Sequence, residues 1–175
     1  MIKLDIISDV VCPWCYIGKS YLDRALEQRA DHPFAIAWHP FQLNPDMPKG
    51  GMDRREYLEL KFGGRDGAVK AYAPLLEHAA RAGVVLNHDR ITRTPNSLDA
   101  HRLIHWAGVE GRQTPMVSAL FRAYWTQGRD IGDHGVLADI AGETGLDRAV
   151  IARLLAGDGD SAEITWNFEK FLVDA

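Results

Sequence analysis

Residues 2–15, Ile2-Lys3-Leu4-Asp5-Ile6-Ile7-Ser8-Asp9-Val10-Val11-Cys12-Pro13-Trp14-Cys15, decide the fold. Ile2, Leu4 and Ile6 alternate with Lys3 and Asp5, the period of a half-buried strand. Val10 and Val11 lead from it into the two cysteines. From residue 14 to about 29 the apolar Ile17, Tyr21, Leu22, Ala25 and Leu26 recur at helical spacing, with Lys19, Asp23, Arg24 and Gln28 opposite. Pro13 suits the first turn of that helix, where a missing N–H costs no hydrogen bond. Asp31-His32-Pro33 ends it, and the run Phe34-Ala35-Ile36-Ala37-Trp38, rich in β formers, is closed by Pro40. Strand, helix and strand within about forty residues make a βαβ unit, whose strands should be parallel and whose crossover should be right-handed.

The cysteine pair carries the chemistry. A Cys-x-x-Cys placed after a strand and at the start of a helix puts its first sulfur where unpaired backbone N–H groups and the positive end of the helix dipole favour a thiolate. Cys12 is therefore the expected nucleophile. A free thiol titrates near ~8.5 and such positions bring it to roughly 3.5–7.5. Cys15, one turn inside the helix, is the expected resolving thiol, placed to attack a mixed disulfide on Cys12. Pro13 and Trp14 form the environment between them; Trp14 supplies no cation, so a less oxidising couple is expected than a His there would give. A zinc half-site would need two further ligands, and no second cluster has finger spacing. A buried inert pair is disfavoured by Pro13 and the strand-to-helix setting. His101 and His105 stand four apart on a predicted helix, as metal ligands can, but no acidic ligand follows at motif spacing, so an ordinary polar helix face is expected and no metal.

Residues 44–51 form a loop by composition, and beyond it the pattern is helical for about a hundred residues. Asp53 caps a segment to Phe62; a second spans residues 65–82, with Pro74 as an expected kink or break. Asn96 and Asp99 look like the start of a helix through Trp106. Pro115 lies in the first turn of the next, which ends near Gly128 with Met116, Leu120, Ala123 and Tyr124 on one face. Asp133 and Asp147 begin two more. Residues 158–175 fit strand or helix, with the helix favoured by the capping pair Asp160 and Glu163. The chain divides into residues 1–45, the βαβ unit; 46–157, a helical insertion; and 158–175, a C-terminal segment.

The 175 residues suffice for one core without staples. A formal charge of −4, with basic residues interspersed among acids as in Asp53-Arg54-Arg55-Glu56, argues against a nucleic-acid partner. No apolar run is long enough to span a membrane. The N-terminus runs straight into a strand pattern without a leader-like apolar stretch, so a cytoplasmic protein is expected, where two cysteines are catalytic or metal-binding more often than structural.

Residues 8–19, Ser-Asp-Val-Val-Cys-Pro-Trp-Cys-Tyr-Ile-Gly-Lys, resemble the start of the DsbA-family thioredoxin-like proteins, in the FrnE-like branch that neighbours 2-hydroxychromene-2-carboxylate isomerases and kappa-class glutathione transferases. Residues 38–45, 94–102, 120–124 and 128–131 carry the same resemblance, which spans about residues 2–157. It implies an α/β fold, a thioredoxin-like core with an all-helical insertion, and dithiol/disulfide exchange with protein or small-molecule thiols and disulfides as partners. It implies no cofactor, with glutathione as a possible co-substrate. By resemblance Arg93 and Asn96 face the cleft between insertion and core as substrate-binding candidates; helix capping is the other role open to Asn96. The isomerase and kappa relatives carry Ser at the first cysteine, so Cys12 points to redox chemistry. A glutathione-dependent isomerase or transferase and a non-catalytic binding domain stay as alternatives. The family pattern ends in two antiparallel strands, a cis-proline loop and a helix. This sequence has no proline after Pro115, so that strand pair and loop are expected to be missing, and the edge of the first strand to be covered by the C-terminal segment or by a homodimer partner.

Overall fold

A computed structural model gives the fold and describes residues 1–162 and 164. Strand β1 (Ile2–Ser8) runs parallel to β2 (Phe34–Pro40), Ile2 opposite Phe34 and Ser8 opposite Pro40, with helix α1 (Pro13–Glu27) crossing between them. This register puts Ile6 beside Trp38, and both reach the main core. The outer edge of β2 is satisfied by a side chain: Gln113 accepts from Trp38 N–H at 2.9 Å and donates to Trp38 C=O at 3.0 Å. Among the described residues β1 pairs with β2 alone. The expected cover for its other edge concerns residues that lie outside the described ones, as does most of the segment 158–175; residues 161, 162 and 164 are helical.

The remaining elements are β3 (Met52–Asp53), α2 (Arg54–Phe62), α3 (Arg65–Ala82), a 3-10 turn (His88–Arg90), β4 (Arg93–Thr94), α4 (Leu98–Val109), α5 (Gln113–Phe121), a π-helical turn (Arg122–Thr126), α6 (His134–Glu143) and α7 (Arg148–Leu155). The two-residue strands β3 and β4 pair antiparallel and clip the start of α2 to the segment before α4. The Asp caps are as the sequence predicts: Asp53 accepts from Arg55 N and Glu56 N, Asp133 from Val136 N, Asp147 from Ala149 N and Val150 N. Leu103, Met116, Leu120, Phe121, Leu137 and Ile140 are fully buried where α4, α5 and α6 meet.

Four local expectations are corrected. Of the kink or break expected at Pro74 there is no break: α3 continues through it, with Pro74 on the exposed side while Leu75, Ala79 and Ala82 pack inward. The cap of α4 is Ser97 by backbone position; Asn96 instead accepts from Leu98 N, and Asp99 pairs with Arg102 and His134 rather than closing a capping box. On α1, Tyr21 and Ala25 are exposed and Lys19 is buried: its ammonium lies 6.0 Å from the centre of the Trp38 ring and meets Asp23 at 2.6 Å. His101 is buried rather than part of a polar surface.

Arg102, which looks like a surface residue in sequence, is 2% exposed. It donates to the carbonyls of Leu154, Gly157 and Gly159 and to Asp99 Oδ1. One guanidinium thereby gathers carbonyls from the last turn of α7 and from the segment that follows it.

Candidate functional site

The cysteine motif begins where β1 ends. Asp9 is fully buried; Oδ1 accepts from Val11 N at 3.2 Å and Oδ2 from Leu43 N at 2.6 Å, joining the segments that follow β1 and β2. His101 Nε2 lies 3.4 Å from Asp9 Oδ1 and 2.9 Å from the Phe41 carbonyl, which can only accept, so that nitrogen carries the proton. Trp125 from the π-helical turn donates to the Val10 carbonyl at 3.0 Å. The Asp9 carbonyl accepts from Cys12 N at 3.0 Å, and Cys12 becomes the N-cap of α1, with φ −91° and ψ 114° and with Pro13 in the first turn.

Both thiols are free and half-buried, and they face different surroundings. Cys12 lines a cavity of about 280 Å³ together with Pro13 and Trp14, while Cys15 packs against the main core. The opposite wall of the cavity comes from α2 and α3: Arg54, Tyr57, Lys61, Phe62 and Tyr72. Trp14 is half exposed and meets His78 of α3 edge to face at 5.3 Å. A second cavity, of about 300 Å³, is lined by Ser8, Trp38, His101 and His105 and contains no sulfur.

The two sulfurs share a proton. The hydrogen bond between the two thiols is the main reason the Cys15 thiol is pulled down to about 6. The Asp9 backbone N–H and the Ser8 hydroxyl also lower it, against burial and the Asp9 carboxylate, which raise it. Cys12 is pushed up by the same hydrogen bond, then by burial and by the Cys15 charge; the Trp14 and Cys15 amides oppose this and are outweighed. The Trp14 and Cys15 amides at the start of α1 thus make the contribution to Cys12 that the helix-terminus argument expects. The pair therefore ionises easily once, and the proton that remains is held between the two sulfurs.

Pro13 and Trp14 stand beside the sulfurs, and Arg93 and Asn96 stand elsewhere. Arg93 in β4 donates to the Gly50 carbonyl and lies 3.8 Å from Asp130. Asn96 donates to the Met47 carbonyl at 2.7 Å and accepts from Gln42 and Leu98 N, tying the loop after β2 to the helical part. Neither lines the cavity that holds Cys12. Sequence reasoning missed Arg54, Tyr57, Lys61 and Tyr72. The one available signal was an Arg-x-x-Tyr-x-x-x-Lys spacing that places Arg54, Tyr57 and Lys61 on one side of α2. Among the described residues no group of three or more His, Cys, Asp or Glu is arranged to hold a metal ion.

The DSBA-like thioredoxin domain family matches residues 3–171, reaching past residue 157 where the motif resemblance ends. The chain belongs to that family, and its α/β thioredoxin-like fold is the family's. Uncharacterized protein YwbO of Bacillus subtilis is 25% identical over 148 residues, 85% of this chain and 68% of that protein. A probable DsbA oxidoreductase from Streptomyces coelicolor superposes with a TM-score of 0.84 at 26% identity, over 97% of this chain and 74% of its own. The cytosolic disulfide reductase DsbM from Pseudomonas aeruginosa, solved with GSH, superposes with a TM-score of 0.66 at 22% identity, over 97% of this chain and 77% of its own, a likeness of fold.

Proposed function

We propose that this protein is a thiol:disulfide oxidoreductase in which Cys12 meets the substrate and Cys15 releases it. The observation that carries the reading is the asymmetry of the pair: Cys12 opens on the cavity while Cys15 packs toward the core. In the reducing direction a Cys12 thiolate attacks a substrate disulfide, forming a Cys12–S–S–R bond and expelling one substrate thiolate. The proton shared between the sulfurs moves to Cys15 as Cys12 becomes the anion. Cys15, once ionised again, attacks Cys12 Sγ and frees the second substrate thiolate, leaving Cys12 and Cys15 bridged. The substrate is reduced by two electrons and the dithiol oxidised by two.

No cofactor is required for these steps. Glutathione is the small co-substrate that fits, since Lys61 at the cavity wall suits a carboxylate of an anionic thiol. A cytoplasmic setting accords with this reading, with DsbM as a cytosolic relative in fold. Pro13 restricts the backbone between the sulfurs, and Arg93 and Asn96 serve by holding the loop after β2 in place.

Non-reducing mass spectrometry after exposure to oxidised glutathione and to a scrambled protein disulfide tests the assignment. Cys15→Ser should accumulate an adduct on Cys12 and lose turnover, while Cys12→Ser should form none. Undiminished turnover by Cys15→Ser would instead fit a glutathione-dependent isomerase or transferase, in which Cys15 has no step, and would sink the dithiol mechanism.

A further inference from the structure

Arg54 is a buried charge with no acid beside it. It is 7% exposed, and among the described residues no carboxylate lies within ion-pair distance of it. Nη1 donates to Thr94 Oγ1 at 3.1 Å and to the Tyr124 hydroxyl at 3.5 Å, Nη2 donates to the Tyr72 hydroxyl, and Nε is buried without a partner. The guanidinium also lies 5.4 Å from the centre of the Trp125 ring. Burying an uncompensated guanidinium is costly, and such a charge is kept where its field has a use.

Tyr72 is the Arg54 partner that shares the cavity of Cys12, and the charge of Cys12 is felt at its phenol. The Tyr72 oxygen accepts from Arg54, and among the described residues its own O–H donates to nothing. A phenol whose lone pair is taken by a cation has a polarised O–H and is a better donor for it. Burial weakens Tyr72 as an acid, so the group gives a hydrogen bond and keeps its proton.

We propose that Tyr72, polarised by Arg54, donates a hydrogen bond to the substrate sulfur joined to Cys12 in the mixed disulfide, stabilising that sulfur as it leaves. The inference rests on the exchange mechanism above. Cys15 attacks Cys12 Sγ, the Cys12–Cys15 bond forms, and the bond from Cys12 to the substrate sulfur breaks with its electron pair on that sulfur. The Tyr72 O–H solvates the new thiolate without transferring its proton; solvent protonates the product after release. In the oxidising direction the same contact receives the incoming thiolate. Arg54 is a positioning residue here, acting through the phenol.

The test uses the full chain, charged on Cys12 with mercaptoethanol or with thionitrobenzoate at acid pH, where Cys15 is protonated and waits. A jump to neutral pH starts release, followed by stopped flow. The mercaptoethanol thiolate is basic and needs the donor; the thionitrobenzoate thiolate is already stable. Tyr72→Phe should slow release of mercaptoethanol about tenfold, the worth of one hydrogen bond to a charged group, and thionitrobenzoate release about twofold or less. A ring-fluorinated tyrosine at position 72, a stronger donor of nearly the same shape, should speed mercaptoethanol release, which a merely structural role would not do. Equal slowing of both thiols, or release indifferent to both replacements, overturns the assignment of Tyr72 while leaving exchange intact. Failure of the unmodified protein to release either thiol overturns the exchange mechanism itself, and the Tyr72 step with it.

Discussion

The Cys15 thiol at about 6 makes the redox potential of the pair bend with pH at a predictable place. Reduction of the disulfide takes up two electrons. Below the first ionisation it also takes up two protons, and the potential falls by ~59 mV per pH unit; above it one proton suffices and the slope is ~30 mV. With the first ionisation near 6, about nine-tenths of the reduced pair is monoanionic at pH 7, against roughly 3% of a free thiol at ~8.5. That difference stabilises the reduced form by about 1.4 kcal/mol at pH 7, which raises the potential by ~30 mV over a pair of ordinary thiols. The sign follows from the depressed value: the contribution is full above the free-thiol value, shrinks as pH falls, and is gone below about 6. The gain in attack rate is smaller than thiolate content suggests, because a less basic thiolate is a weaker nucleophile, with a Brønsted coefficient of roughly 0.4–0.5. The assay is equilibration with dithiol redox buffers from acid to mildly alkaline pH, read by Trp14 fluorescence and corrected for the slope of the buffer couple. A break near pH 6 is expected. A straight line of ~59 mV per unit continuing through pH 8 would refute the shared-proton account.

Two further outcomes concern the frame around the sulfurs. Trp125→Phe removes the donor to the buried Val10 carbonyl and should cost about 1–3 kcal/mol in denaturant unfolding; a variant as stable as the parent would show that the tie between the π-helical turn and the cysteine segment carries no weight. Gly128→Ala should cost about 2 kcal/mol or more by thermal unfolding, since Gly128 holds φ +72° and an added Cβ would lie 2.7 Å from both Cβ and O of Arg90; wild-type stability would mean that this turn relaxes freely.

The elements built from local signals were legible. Alternation from Ile2 to Ile6 and the β formers from Phe34 to Trp38 gave two strands in parallel register, and the Asp caps at 53, 133 and 147 start their helices where the pattern puts them. The sulfur pair was legible because its spacing is its chemistry. The opposite wall of the cleft was not, because Arg54, Tyr57, Lys61 and Tyr72 are ordinary helix-face residues until α2 and α3 fold against Cys12. Lys19, His101 and Arg102 look solvated in sequence and are buried, because the Trp38 ring beside Lys19, Phe41 O and the end of α7 reach them only in the fold. The coupling of the two cysteines was hidden for a related reason: position at a helix start is visible in sequence, whereas the effect of each thiol on the other is not.

Asp9 explains how a site that favours a thiolate tolerates a buried carboxylate close by. Its two oxygens are occupied by Val11 N and Leu43 N, with the His101 imidazole near one of them, so its charge is dispersed over backbone donors before it acts on the sulfur. Among the influences on Cys15 the Asp9 charge is the weakest, smaller even than the lowering by Asp9's own backbone N–H. The carboxylate therefore works as a staple. Val11 and Leu43, the residues it holds, both line the Cys12 cavity, and Val10, next to Val11, is held in turn by Trp125. The shape of the cleft is thus set by Asp9 and Trp125 through the backbone, while the charge state of the pair is set by the sulfurs themselves. Because the two are governed by different groups, substrate fit and thiol acidity can change separately.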